Sequence, residues 1–181
     1  MRELALHILD LMENSVRVEA AVVCVAVEVD PAADRLVITV ADDGPGLPGD
    51  PDTVLDPFYT TKAGKRTGLG LSLFRAAAEG AGGSFEVGVS EFGGARVTGV
   101  FGFNHLDRAP LGDLPGTFLT MVLANPAVDF WCRVVTPGTE HMVRTSDIVV
   151  ALGDKAADDY AVAKAVADAV RDAVQCLLPP H

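Results

Sequence analysis

The sequence predicts a two-layer α/β sandwich, in which helices pack on one side of a mixed sheet. Segments with the period of a helix alternate along the chain with segments that have the two-residue period of a strand. In addition, 49% of the 181 residues are apolar, which is enough to bury a core. This composition excludes the disordered and fibrous classes.

Residues 1–103 carry the elements of the sandwich. The first helix contains no Gly or Pro and is apolar on most of its surface, and valines alternate with other residues in the strand that follows. A second strand, a turn-rich stretch, a short helix that ends at a glycine, and a hairpin complete the order. The expected bounds are 4–18 and 71–79 for the helices, 20–29 and 35–41 for the first two strands, and 84–89 and 96–103 for the hairpin.

Residues 104–181 form a small C-terminal α+β extension after a connector that contains Pro and Gly. The expected elements are a helix at 114–124, strands at 128–135 and 140–149, and a long final helix. That last helix carries a stripe of valines, each one turn from the next. We expect the stripe to pack on the first domain, and a partner-binding groove or a homodimer seam stays open as the alternative.

The excess of acidic over basic residues limits the kinds of partner that the protein can bind. With 25 acidic against 14 basic residues, the net charge is −11, which argues against a nucleic-acid or anionic-membrane surface. The longest purely apolar run, residues 20–27, is far shorter than the roughly 18 residues that span a bilayer. The three cysteines have no CxxC spacing, which favours a reducing compartment. We therefore expect a cytoplasmic protein that binds neither nucleic acid nor membrane.

Four polar residues lie on one side of the first helix. His7, Asp10, Asn14 and Arg17 are spaced by three, four and three residues, which places them on one face of an otherwise apolar helix. A solvent-facing stripe is the plain interpretation. Because the other faces are apolar, however, the helix should be largely buried, and a ligand could supply the partners that buried polar groups require. Asn14 offers an uncharged oxygen suited to Mg²⁺, and Asp10, one turn earlier, could orient a water as a base.

An acidic turn that contains glycine, DDGPG, follows the second strand at residues 42–46. An ordinary turn explains it on its own. Alternatively, a carboxylate at Asp42 would accept a hydrogen bond from the exocyclic amine of adenine and oppose the carbonyl oxygen of guanine, so that one residue selects ATP over GTP. Gly44 and Gly46 would let the backbone approach a flat ring. Asp43 is expected to bind locally or to face solvent.

The segment before the second predicted helix is rich in glycine and basic residues. Within residues 60–72, Lys62, Lys65 and Arg66 stand beside three glycines in an otherwise acidic chain, and a helix begins just after Gly70. Backbone N–H groups at a helix N-terminus, together with nearby cations, form a site for phosphates. The P-loop and dinucleotide-binding fingerprints are both absent. A surface loop without such a role is the alternative.

Taken in order, four segments resemble the motifs of the GHKL superfamily, which comprises histidine kinases, type II topoisomerases, MutL-like repair proteins and the heat-shock chaperone ATPase. The resemblance covers residues 3–103 and implies a Bergerat-type ATP-binding fold that uses ATP and Mg²⁺. The matching segments are Glu13-Asn14-Ser15 for the N box, 42–46 for the first glycine box, 56–62 for the F box and 68–72 for the second glycine box.

The resemblance also implies a role for each matched residue. Asn14 would hold Mg²⁺ and Asp42 would read adenine, with Asp10 as a candidate base. The other ATP-binding residues would make room for the nucleotide or contact its phosphates beneath a short lid. They are Gly44, Gly46, Lys62, Lys65, Arg66, Thr67, Gly68, Leu69, Gly70 and Leu71.

Two departures from the family pattern bear on the reaction. The sequence begins at the N box, so we expect a stand-alone bacterial ATP-binding protein without the dimerisation hairpin that holds the phosphoacceptor histidine of histidine kinases. His7 does not match that histidine. Asp10 stands where the true ATPases and the anti-sigma-factor serine kinases carry Glu, and its side chain is one methylene shorter.

The function expected from these features is that of an Mg-ATP-binding regulatory kinase in signal transduction, which transfers the γ-phosphate to a histidine or serine of a separate protein. A non-catalytic module that reports ATP occupancy to a partner is one alternative. A conformational ATPase that uses Asp10 as its base is the other.

Overall fold

The computed structural model describes residues 3–46 and 69–177. In chain order the elements within these ranges are α1 (Leu4–Arg17), β1 (Val22–Asp30), β2 (Arg35–Asp42), α2 (Leu69–Gly80), β3 (Ser84–Val89), β4 (Ala95–Gly102), α3 (Leu114–Ala124), β5 (Asp129–Thr136), β6 (Thr139–Arg144), α4 (Thr145–Leu152), a 3-10 segment (Gly153–Ala157) and α5 (Asp159–Gln175). None of the helices in this part of the chain is both long and apolar enough to cross a membrane.

The strands form one mixed sheet in the order β3-β4-β2-β1-β5-β6. Neighbouring strands are antiparallel except β1 and β5, which run parallel. A parallel pair needs a crossover connection, and helix α3 lies directly before β5 in the chain. Because β5 pairs with the central β1, strands from residues 1–103 and from 104–181 share this sheet. The division of the chain into two domains stays a prediction.

The core lies between the sheet and a layer of helices on one of its faces. Val23 and Val25 of β1 are fully buried, and they pair with the fully buried Phe130 and Cys132 of β5. Side chains of α1, α2, α3 and α5 complete the same apolar cluster, which takes in most of the valine stripe of α5. The predicted two-layer α/β sandwich is therefore confirmed.

The opposite face of the sheet carries shorter and more polar side chains. Cys24 of β1 stands between Ala41 of β2 and Trp131 of β5, and Trp131 in turn pairs with Arg144 of β6. A shallow cavity of about 370 Å³ opens over the short side chains of the central strands. Trp131 and Arg144 therefore lie on the face that is turned away from the helical core.

The structure differs from the sequence-based prediction in the second strand of the extension. The sequence predicts a strand over 140–149, but helix α4 begins at Thr145. Two contacts with β5 hold the start of this helix. The Thr145 hydroxyl donates to the carbonyl of Phe130 at 3.1 Å, and the Ser146 N–H donates to Asp129 Oδ1 at 2.9 Å. These tertiary contacts outweigh the strand propensity of the β-branched residues in α4.

Candidate functional site

The carboxylate of Asp42 lies at the end of β2 and is 4% exposed. Its Oδ2 accepts a hydrogen bond from Ser15 Oγ at 2.6 Å, and its Oδ1 accepts from the backbone N–H groups of Gly44 and Ala95, each at 3.0 Å. An ionised carboxylate offers roughly four acceptor positions. The described residues use three of them, so one position on Oδ2 can still accept a hydrogen bond.

The turn between β3 and β4 is fastened to the same aspartate. The backbone carbonyl of Asp42 accepts hydrogen bonds from the Ser90 hydroxyl at 2.5 Å and from the Gly94 N–H at 3.1 Å. A Cβ at Gly94 would lie 2.3 Å from Asp42 Oδ1, so the approach requires glycine. Sequence patterns predict only a hairpin turn here. The adjacent Gly93 and Gly94 indicate that turn and no close approach, and nothing in the sequence connects Ser90 or Ala95 with Asp42.

The rest of the DDGPG turn leaves room beside Asp42. A Cβ at Gly44 would come within 3.1 Å of Val18 Cγ2, whereas Gly46 has a positive φ of 81° and open space around it. Asp43 Oδ1 accepts two backbone N–H groups at the start of β1, each at 2.8 Å. This contact confirms the local role expected for Asp43 and separates it from the role of Asp42.

The polar side of α1 runs from the core to the surface. His7 is 2% exposed, Asp10 and Asn14 are half-buried, and Arg17 is exposed. The interpretation as a solvent-facing stripe therefore holds only for Arg17, at the C-terminal end of the helix. Burial lowers the pKa of His7, and Nδ1 of its ring has no hydrogen-bond partner among the described residues. Asn14 Oδ1 accepts a hydrogen bond from Arg17 Nη1 at 2.8 Å, which uses one of the two lone pairs of that oxygen.

Helix α2 begins at Leu69, against the middle of α1. A Cβ at Gly70 would lie 3.3 Å from Asp10 Cβ and 3.7 Å from Asp10 Oδ2, so this glycine lets the first turn of α2 reach Asp10. The N–H groups in the first turn of a helix lack intrahelical partners and favour an anion. Leu71 packs against the core. The predicted site residues that lie outside the described part of the chain are Lys62, Lys65, Arg66, Thr67 and Gly68, together with the F-box segment 56–62.

The site therefore combines a buried acceptor, an amide oxygen and a helix N-terminus. Ser15 bonds to Asp42, so α1 lies against the end of β2, and Asn14 precedes Ser15 on the same helix. In residues 3–46 and 69–177, no group of three or more His, Cys, Asp or Glu side chains could hold a metal ion. The amide oxygen of Asn14 is an uncharged ligand of the kind that suits Mg²⁺, which usually keeps several waters and binds few protein groups.

A sequence model of the family described as "Histidine kinase-, DNA gyrase B-, and HSP90-like ATPase" matches residues 2–105. The chain belongs to this family. The match runs from α1 to β4 and so includes Asp10, Asn14, Asp42 and Gly70.

Parts of three sensor kinases are similar in sequence to parts of this chain. Sensor protein kinase PilS of Pseudomonas aeruginosa is 40% identical over 76 residues, which are 39% of this chain and 14% of that protein. Sensor protein ChvG of Agrobacterium fabrum is 41% identical over 76 residues, 36% of this chain and 13% of that protein. Sensor kinase CckA of Brucella abortus is 51% identical over 45 residues, 24% of this chain and 5% of that protein. The chain thus spans only a small part of each relative's length.

One solved structure, the N-terminal domain of a DNA repair protein, is similar at a TM-score of 0.47 and 12% sequence identity, over 79% of this chain and 52% of that chain. The family match and the sensor-kinase relatives confirm the histidine-kinase-type ATPase domain that the sequence predicts. The chain therefore contains an ATP-binding, kinase-like domain.

Proposed function

We propose that this protein of the ATPase family is an Mg-ATP-binding regulatory kinase that transfers the γ-phosphate to a separate partner protein. The buried Asp42 carboxylate carries the proposal, because the protein holds three of its acceptor positions and leaves one unused by the described residues. An acceptor fixed in direction fits the exocyclic amine of adenine and opposes the carbonyl oxygen of guanine. Asp42 would therefore select ATP over GTP.

The phosphates of ATP would extend from Asp42 toward the first turn of α2. Gly44 and Gly46 would give the nucleotide room at the turn, and the N–H groups near Gly70 would bind phosphate oxygens. The helix dipole adds to this attraction, because its positive end lies at the N-terminus. The other phosphate or nucleotide contacts that we propose, on the family resemblance, are Lys62, Lys65, Arg66, Thr67, Gly68, Leu69 and Leu71.

Asn14 would supply the protein ligand of Mg²⁺. When bound, Mg²⁺ neutralises phosphate charge during phosphoryl transfer. The hydrogen bond from Arg17 uses one lone pair of the Asn14 oxygen, so the other would hold the cation, whose charge would repel the guanidinium. Arg17 is exposed, so its guanidinium can turn away at little cost.

Asp10 would orient the attacking group. Its side chain projects from α1 toward the start of α2, close to where we place the phosphates. A histidine acceptor attacks through a ring nitrogen that has a lone pair, and positioning then suffices. A serine hydroxyl has to lose its proton, and the Asp10 carboxylate would accept it.

In this proposal the protein works in the cytoplasm as part of signal transduction, and its phosphoacceptor lies on another protein. The sensor-kinase relatives support the role in signal transduction, although they match this chain over a small part of their own length. A non-catalytic, nucleotide-reporting module is the second candidate. The contact between the β3–β4 turn and the C-terminal extension favours it, because this turn bonds to Asp42 and its Phe92 packs on Trp131 of β5.

The test of the proposal follows label from γ-labelled Mg-ATP with the purified protein, with and without extract of the source cells. We expect a labelled partner band that disappears in Asn14→Ala and in Asp42→Asn. Asp43→Asn is the matched control, since Asp43 bonds only to the start of β1 among the described residues and should leave the band unchanged. Survival of the label in acid would indicate serine, and its loss would indicate histidine.

The other outcomes separate the alternatives. ATP binding without a labelled band and without released phosphate would favour the nucleotide-reporting module. Phosphate release without a labelled band would favour a conformational ATPase, provided that Asp10→Asn stops the release. No ATP binding at all would contradict the proposal.

A further inference from the structure

An aromatic contact joins the β3–β4 turn, which bonds to Asp42, to the C-terminal extension. Phe92 lies in the turn between β3 and β4, and its ring meets the ring of Trp131 edge-on, with centroids 5.3 Å apart and planes at 86°. The backbone N–H of Phe92 donates to Ser90 Oγ at 2.9 Å, and Ser90 Oγ donates to the carbonyl of Asp42. Two hydrogen bonds and one ring contact therefore connect Asp42 with β5.

Trp131 extends this connection to helix α4. Its Nε1–H donates to Asp129 Oδ2 at 2.7 Å, while the other oxygen of Asp129 accepts the Ser146 N–H in the first turn of α4. The Arg144 guanidinium lies 4.3 Å from the centroid of the Trp131 ring. A shift of the Trp131 ring would therefore change the position of both Arg144 and the start of α4.

Arg144 is held in an unusual way for a partly buried arginine. Its Nε is buried and has no hydrogen-bond partner among the described residues, and none of the ion pairs in this part of the chain includes Arg144. Its guanidinium instead makes a cation–π contact with the Trp131 ring. Such a contact depends steeply on ring position, so Arg144 is suited to follow a movement of Trp131.

We propose that Phe92 and Trp131 are positioning residues that couple nucleotide binding at Asp42 to Arg144 and α4. A nucleotide that bonds to Asp42 shifts the turn of residues 90–94, because Ser90, Gly94 and Ala95 all bond to this aspartate. Coupling between two sites is reciprocal, so a change at Trp131 has to alter nucleotide affinity in turn. The inference rests on the proposed function only in that ATP binds at Asp42.

Trp131 itself reports on the coupling, because it is the single tryptophan of the chain. The experiment titrates the wild-type protein with Mg-ATP and records tryptophan emission and binding heat in parallel. We expect a saturable change in emission whose midpoint agrees with the calorimetric Kd. A merely structural role of Phe92 and Trp131 would leave the emission unchanged while ATP binds.

Variants test the reciprocal effect. Phe92→Leu and Trp131→Leu should each weaken ATP binding by about twofold to tenfold, the range that an aromatic pair contributes. The double variant should bind no more weakly than either single one, since both remove the same contact. Trp131→Phe keeps an aromatic ring and should restore affinity. Phe103→Leu is the matched control, because Phe103, like Trp131, lies beneath an arginine but follows the end of β4 that is remote from the β3–β4 turn.

The outcomes distinguish this inference from the proposed function. ATP binding with unchanged emission in the wild type, which requires no variant to fold, overturns the coupling and leaves the kinase proposal intact. Additive losses in the double variant, or a loss in Phe103→Leu equal to that in Phe92→Leu, overturn it as well. Absence of binding heat overturns the assignment of ATP to Asp42, and the coupling with it.

Discussion

Replacing Asp42 by asparagine is the most direct test of whether this residue distinguishes adenine from guanine. The two backbone donors, Gly44 N–H and Ala95 N–H, need an acceptor, so the oxygen of the introduced amide will face them. The amide nitrogen then faces Ser15 Oγ, which can accept as well as donate. The position that could accept an adenine amine thus becomes a donor. We expect the variant to fold and to lose its preference for adenine.

The magnitude follows from the bonds that change. A hydrogen bond to a charged group contributes about 1.5–3 kcal/mol, which corresponds to roughly 10-fold to 150-fold in Kd. The variant also sets a donor against the adenine amine, so we expect ATP affinity to fall by about 100-fold or more. The same donor matches the carbonyl oxygen of guanine, so GTP should bind at least as well as it does to the wild type. Weaker bonds to the neutral amide should lower the free energy of unfolding by about 1–2 kcal/mol.

Calorimetric titration with ATP and with GTP measures this prediction, alongside urea unfolding to confirm the fold. Asp43→Asn is the control, because its amide oxygen can still accept the same two backbone N–H groups. Equal loss of ATP and GTP binding in Asp42→Asn would point to collapse of the turn. Unchanged ATP affinity in a folded Asp42→Asn variant would refute the assignment of Asp42 to the base.

Three further predictions concern the packing around the same site. Gly94→Ala places a Cβ 2.3 Å from Asp42 Oδ1, so it should destabilise the protein by about 2 kcal/mol or more in urea unfolding, whereas Gly80→Ala, which meets nothing within 4 Å, should not. Ser15→Ala removes the 2.6 Å donor to a buried carboxylate and should cost about 1–3 kcal/mol by the same assay, with weaker ATP binding. Burial lowers the pKa of His7 from 6.5, so the folded chain resists a proton that the unfolded chain binds, and stability should fall as the pH drops below that value. The slope is at most about 1.4 kcal/mol per pH unit, and His7→Leu should flatten it in unfolding curves measured on either side of that pH.

The order of elements could be predicted because each has a local pattern. The alternating valines of β1 and the apolar α1 without Gly or Pro are both properties of a short stretch of chain. Helix α4 could not be predicted, because its β-branched residues have strand propensity and its start depends on Asp129 and Phe130 of a neighbouring strand. Propensity is local, whereas the contact that overrides it is not.

The candidate site divides in the same way. Asp42 and Asn14 stand in recognisable motifs, but the groups that hold Asp42 come from distant parts of the chain. Ser15 is 27 residues away, Ser90 is 48 and Ala95 is 53. Two of the three donors to its carboxylate are backbone N–H groups, which any residue but proline could supply. No pattern of side chains could therefore reveal them, and Gly93 and Gly94 predicted only the hairpin turn.

The position of Asp10 helps to order the candidate functions. A conformational ATPase needs a base that reaches a water molecule beside the γ-phosphate, and Asp10 is both one methylene shorter than Glu and packed against the backbone at Gly70. A kinase with a histidine acceptor needs no proton removed by the enzyme, so a short carboxylate that only orients the attacking ring suffices. A serine acceptor lies between these cases, because the partner can bring its hydroxyl to Asp10. Within the proposed function, we therefore expect transfer to a partner to prevail over hydrolysis. We also expect Asp10→Glu, which extends this carboxylate, to raise phosphate release to water relative to transfer.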